Sequence, residues 1–284
     1  MNKQKRALAI HDISCVGRCS LTVALPILSV GRIDTSVLPT AILSTHTGGF
    51  TDFTYRDLTA DIRPISQHWQ SLGLKFDALY SGFLGSFAQI DLVAELFDTF
   101  KRKDNLILVD PVMADHGELY SVYTPEMASG MGKLCAKADI IVPNLTEAAF
   151  LLGEPYIGEQ QSQQYVESTL KKLGDIGVPQ VVLTGICFEY EKLGAASYDS
   201  NTGRISYAFL NRIPGYFHGT GDVFGSTMLA ALLNGFTLEQ ATQLAVEFTH
   251  RCIELTVEAK QELRYGVCFE RALPLLIEKL NIGA

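Results

Sequence analysis

The most constraining feature of this chain is an alternation of short, unbroken apolar runs with longer stretches of helical spacing. Residues 6–10, 37–43, 78–80, 106–109, 140–142 and 180–183 read as strands. Residues 21–30, 62–72, 90–101, 125–136, 146–152 and 164–176 read as the helices between them, with Ser20 placed as the N-cap of the first. A strand that is apolar on successive residues must be buried on both faces. Strands of that kind separated by helices predict a mainly parallel sheet covered by helices on both sides. After residue 183 the pattern changes. Segments 194–198 and 204–210 flank Asp199-Ser200-Asn201-Thr202-Gly203 and predict an antiparallel hairpin. Helices follow at 222–234, 238–258 and 269–280. Without repeats or a Pro/Gly/Ser-rich linker, residues 1–284 are expected to form one domain of α/β class.

Composition narrows the function classes. Hydrophobic residues make up 47% and charged residues 19%, a globular balance, and the net charge is -8. That charge argues against a broad nucleic-acid surface, but backbone N–H groups can still bind a small anion. The apolar run at 7–10 is too short for a secretory signal, and no stretch approaches the ~20 apolar residues of a membrane helix. The six cysteines are scattered and are read as reduced thiols of a cytoplasmic protein.

Ligands of open parallel sheets bind at the carboxyl ends of the strands, which selects the loops to inspect. The most informative is His218-Gly219-Thr220-Gly221-Asp222, which opens an apolar helix. Its glycines let successive N–H groups face an anion at a helix N-terminus; the same residues would also suit a plain turn capped by Asp222. Asp110-Pro111 and Asn144-Leu145-Thr146-Glu147 end two further strands. They put two carboxylates on one rim, where Mg²⁺ could sit with a nucleotide phosphate; a turn cap and a helix-dipole partner are the structural alternatives. The P-loop, the Gly-x-Gly-x-x-Gly fingerprint after the first strand and the Gly-x-Ser-x-Gly elbow are all absent.

The ordered set Val16-Gly17, Ser44-Thr45-His46-Thr47-Gly48, Tyr80-Ser81-Gly82-Phe83-Leu84-Gly85-Ser86, Val109-Asp110-Pro111-Val112-Met113, Pro143-Asn144-Leu145-Thr146-Glu147 and Gly219-Thr220-Gly221-Asp222 resembles the ribokinase superfamily. Within it, the set is most similar to the pyridoxal/pyridoxine (vitamin B6) kinase branch. The resemblance covers nearly the whole chain. It implies a ribokinase-like three-layer fold and ATP-dependent phosphorylation of the hydroxymethyl group of pyridoxal, pyridoxine or pyridoxamine. By resemblance, Asp222 is the general base and Gly219, Thr220 and Gly221 form the anion hole. Asp110 and Glu147 organise Mg²⁺. Asn144, Glu147, Thr184 and Gly185 serve the nucleotide, while Asp12, His46, Thr47 and Tyr80 contact the pyridine substrate. A homodimer and K⁺ activation are further implications, and His218 has at most a supporting role.

The chain departs from the branch at one place. Better-known B6 kinases carry a Ser, within Ser-His-Val, that contacts the ring nitrogen. Here the matching run is His11-Asp12-Ile13-Ser14-Cys15, and Asp12 takes that position. A carboxylate offers a different donor–acceptor pattern to the ring and favours a protonated nitrogen. A hydroxymethylpyrimidine kinase of thiamine biosynthesis is therefore the nearest alternative. A non-catalytic B6 or nucleotide carrier is the alternative from another class. Sugar kinases fit less well, because their N-terminal lid strands cannot be identified.

Overall fold

A computed structural model describes residues 4–281; residues 1–3 and 282–284, at the ends of the expected domain, lie outside the described residues. In chain order the elements are β1 (Arg6–Ser14), α1 (Leu21–Val30), β2 (Asp34–Leu43), β3 (Tyr55–Asp57), α2 (Thr59–Ser71), β4 (Ala78–Ser81), α3 (Phe87–Phe100), β5 (Leu106–Val109), β6 (Ala114–Asp115), β7 (Glu118–Leu119), α4 (Pro125–Cys135), β8 (Ile140–Ile141), α5 (Leu145–Leu152), α6 (Gln163–Asp175), β9 (Gln180–Ile186), β10 (Lys192–Asp199), β11 (Arg204–Asn211), α7 (Thr220–Leu233), α8 (Leu238–Glu258) and α9 (Leu273–Lys279).

The main sheet runs β11-β10-β9-β8-β5-β4-β1-β2-β3. From β2 to β9 every pairing is parallel, and the antiparallel hairpin of β10 and β11 extends the sheet beyond β9. The unbroken apolar runs follow from this. Successive side chains of a strand point to opposite faces, so Leu8, Leu79, Ile107 and Val181 pack with α2 to α6. Their neighbours Ala7, Ala78, Leu108 and Val182 pack with α1, α7, α8 and α9. A sheet sandwiched in this way positions all its parallel strand ends along one rim.

Three features depart from the sequence reading. The short strands β3, β6 and β7 were too brief for any periodicity to announce. The last predicted helix is two pieces: a 3₁₀ turn, Phe269–Arg271, then α9. Pro274 lies in the first turn of α9, where its missing N–H costs nothing, so it starts a helix rather than continuing one. Ser20 precedes α1 as expected, but its side chain caps nothing; its backbone has φ 56° and ψ -131°.

Candidate active site

A cleft of about 480 Å³ opens along the carboxyl ends of the parallel strands. The expected residues Asp12, His46, Thr47, Asp110, Asn144, Glu147, Thr184, Gly185, Gly219, Thr220, Gly221 and Asp222 all line it. They come from positions as far as 210 apart, gathered because each lies near or after the carboxyl end of a strand or opens a helix on the same rim.

At one side stands the turn before α7. Gly219 occupies the N-cap position with a left-handed φ of 76°, and no side chain caps the helix. Val223 is the first residue to donate its N–H back to the Gly219 carbonyl. The N–H groups of Thr220, Gly221 and Asp222 are thus left for an anion. Asp222 does not cap its own helix. Its Oδ2 accepts the backbone N–H of Ser20 at 2.8 Å, across 202 positions. Burial raises its pKa to about 7, against the opposing effect of the Ser20 N–H; the negative Asp12 adds to the rise. A carboxyl near neutrality, beside an anion-binding turn, suits proton abstraction from an alcohol.

Asp110 and Glu147 face the same space. Burial raises both above the ordinary carboxylate range, and for Asp110 the neighbouring Glu147 and Asp222 raise it further. Among the described residues no basic side chain pairs with either carboxylate. The structural alternative for Glu147 is realised in full. It forms a capping box with Asn144, accepting the Asn144 N–H at 2.8 Å, and its other oxygen accepts the Met113 N–H. The Ala114 N–H also acts on Glu147, whereas no hydrogen bond reaches the Asp110 carboxylate among the described residues. Crowded acids with free lone pairs and no basic partner fit a divalent cation. The Asn144 side chain is committed to protein: Oδ1 accepts from Glu147 and Nδ2 donates to the Ala114 carbonyl. It holds the 113–115 loop in place.

Asp12 lies beside the same turn, joined to it through Ser20. β1 and β2 change register between His11 and Ile13, opposite Pro39. The extra residue lies in β2, between Pro39 and Ile42; Asp12, at this irregularity, lines the cleft, while His11 packs edge-on against Tyr80. Asp12 is 4% exposed and accepts hydrogen bonds from the hydroxyls of Ser14 (3.0 Å) and Ser20. Burial raises its pKa, and both serines oppose that rise. His46 accepts the Gly48 N–H at Nδ1, so its proton sits on Nε2 and is donated to the Arg264 carbonyl. Two rings are seated against glycines. A Cβ on Gly17 would stand 2.2 Å from His46, and one on Gly48 would stand 2.5 Å from His218.

One expected contact is not made. Tyr80 is 0% exposed, and its hydroxyl lies under α7 against Gly225. In β4 it shares the face of Ala78, which packs on α1 and α7, so strand alternation turns it away from the cleft. Other cleft residues had no site role in the sequence reading: Ser20, Phe83, Asp115, Arg212 and Tyr216. Tyr216 donates its hydroxyl to Asp115 at 3.1 Å, joining two loops across the cleft. No local pattern could have revealed contacts over 101 positions. The Thr184–Gly185 end is walled by Leu193, Leu210, Ile213 and Ile253, an apolar slot suited to a flat base.

Residues 37–266 match the family described as phosphomethylpyrimidine kinase. A candidate phosphomethylpyrimidine kinase from Bacteroides thetaiotaomicron is 37% identical, with a TM-score of 0.93 over 97% of this chain and 94% of that one. A second crystal form of it, with pyridoxal, gives 36% and 0.92 over 96% of each. Pyridoxal kinase from Lactobacillus plantarum is 30% identical, with a TM-score of 0.89 over 97% of this chain and 98% of that one. A candidate pyridoxal kinase of Schizosaccharomyces pombe is 26% identical over 91% of this chain and 87% of its own length.

Proposed function

This chain belongs to the phosphomethylpyrimidine kinase family, and from that premise we propose that it transfers the γ-phosphoryl group of ATP to the hydroxymethyl group of pyridoxal, pyridoxine or pyridoxamine. The observation that carries this reading is the Asp222 carboxylate, fixed by the Ser20 N–H beside the uncapped turn at Gly219–Gly221. Phosphoryl transfer needs in-line positioning and compensation of spread negative charge more than covalent chemistry. Asp222 takes the proton of the attacking hydroxyl. The N–H groups of Thr220 and Gly221 receive the charge on the transferred group. Asp110 and Glu147 would hold Mg²⁺, which when bound neutralises phosphate charge. Thr184 and Gly185 border the slot for the adenine.

Asp12 orients the ring. Two hydroxyls already donate to it, so it presents accepting capacity, which fits a protonated ring nitrogen. The same acceptor fits the exocyclic amine of hydroxymethylpyrimidine, and the second reading, a hydroxymethylpyrimidine kinase, is supported by a family described as phosphomethylpyrimidine kinase. An ADP-release assay with the three vitamers and hydroxymethylpyrimidine tests both. Turnover of none of them, with ligand binding intact, would leave a carrier instead. Asp12→Asn is expected to lower kcat/KM for the preferred alcohol by ~10–100-fold, the size of a lost hydrogen bond to a charged group. An unchanged value would remove Asp12 from ring recognition.

The acid limb of turnover follows from Asp222. A base must be deprotonated to act, so kcat/KM of the free protein should rise as pH passes through about 7 and level off above it. A profile flat from pH 5.5 to 8.5 would contradict this base. Among the described residues no helix is long and apolar enough to cross a membrane. A cytoplasmic setting, a homodimer and activation by K⁺ follow from composition and family resemblance, and size-exclusion chromatography and rates with K⁺ against Na⁺ check the last two.

A further inference from the structure

Ser20 sits between the carboxylates of Asp12 and Asp222 in the cleft. Its carbonyl accepts the N–H groups of Val23 and Ala24, so it starts α1. Its N–H donates to Oδ2 of Asp222 and its hydroxyl donates to Oδ1 of Asp12. It is buried, and its φ of 56° lies in the region that favours glycine. A non-glycine residue persists there only when its surroundings over-determine it. Glycine would fit this backbone without strain but would carry no hydroxyl for Asp12.

Building on the proposed roles of Asp12 and Asp222, we propose that Ser20 is a positioning residue that locks the ring-recognising carboxylate and the base into one fixed relation. The main-chain bond occupies Oδ2 of Asp222 and leaves Oδ1 for the substrate hydroxyl. The side-chain bond orients one oxygen of Asp12 and Ser14 orients the other, so the carboxylate plane is set against the ring while accepting capacity remains for it. Because a single residue makes both bonds, alcohol and base are aligned by the same strained backbone unit. The residue touches both acids without taking part in the proton transfer.

Two variants separate the two bonds. Ser20→Gly removes the hydroxyl but accepts the backbone angles, so the N–H stays on Asp222. It should raise KM for the preferred alcohol about tenfold, the loss of one hydrogen bond to a charged group, with a smaller effect on kcat and none on KM for ATP. Ser20→Ala also loses the hydroxyl but keeps the unfavourable φ, now without the bond to Asp12 that helps to hold it. Its peptide relaxes away from Asp222, and kcat should fall about tenfold as well. The double variant Asp12→Asn/Ser20→Gly should be no worse than Asp12→Asn alone, because residues acting through one contact are not additive. Fully additive losses, or KM and kcat within twofold of wild type in both single variants, would overturn the proposal. A fall in melting temperature without a change in KM would do the same. Wild-type protein inactive on every alcohol would instead sink the functional reading, and this role with it.

Discussion

Asp222→Asn is expected to lose roughly 10²–10⁴-fold in turnover with every alcohol the wild-type protein phosphorylates, the usual contribution of a positioned general base. The substitution is nearly isosteric. An amide oxygen can still accept the Ser20 N–H that Oδ2 accepts now, so the turn before α7 should keep its shape. The uncapped N–H groups of Thr220 and Gly221 and the carboxylates of Asp110 and Glu147 are untouched. Nucleotide binding, read by calorimetry with a non-hydrolysable ATP analogue, should therefore stay within a few-fold of wild type. The loss should appear in kcat and kcat/KM together, as it does when an interaction of the transition state is removed. A variant that retains near-wild-type turnover would show that another group takes the proton.

Gly219→Ala should be nearly as damaging by a different route. Gly219 has φ 76°, and a Cβ there would lie 2.0 Å from the carbonyl oxygen of Arg18. That atom is backbone and cannot swing aside. The strained φ costs about 1–3 kcal/mol, and forcing atoms into a filled space costs about 1–3 kcal/mol more. The chain can escape only by parting the 15–20 loop from the turn before α7. Parting them misplaces the anion-binding N–H groups, and removal of one such donor typically costs ~10²–10³-fold in kcat. Thermal melting and turnover should fall together. A variant with wild-type melting and rates within tenfold would mean that this turn is not the anion site.

Much of this arrangement could be read from the chain. The central strands are legible because burial on both faces leaves no polar residue to blur the run, as in Leu106–Val109. The helices 21–30 and 238–258 are bounded by sharp changes of pattern, and their limits coincide with α1 and α8. The motif residues point to the right rim because strand ends in a parallel sheet share one edge. What the sequence hides is partnership. Nothing near Ser20 signals that it joins residues 12 and 222, and spacing suggested only a helix cap. The segments 55–57, 114–115 and 118–119 are strands only because neighbours pair with them. Tyr80 shows the converse failure. Family resemblance placed it at the substrate, whereas the two-residue period of its own strand puts it on the face of Ala78, beneath α7. The local rule was the better guide there.

The glycine seats of the two cleft histidines restrict how this site can vary. Any side chain at Gly48 would occupy the space of the His218 imidazole, and any side chain at Gly17 would occupy that of His46. A Cβ at either glycine requires the imidazole beside it to shift. The cleft wall is therefore inherited as two-residue units, each joining positions remote in the chain. A change at one member of such a unit therefore moves the other, and with it the wall that the substrate meets.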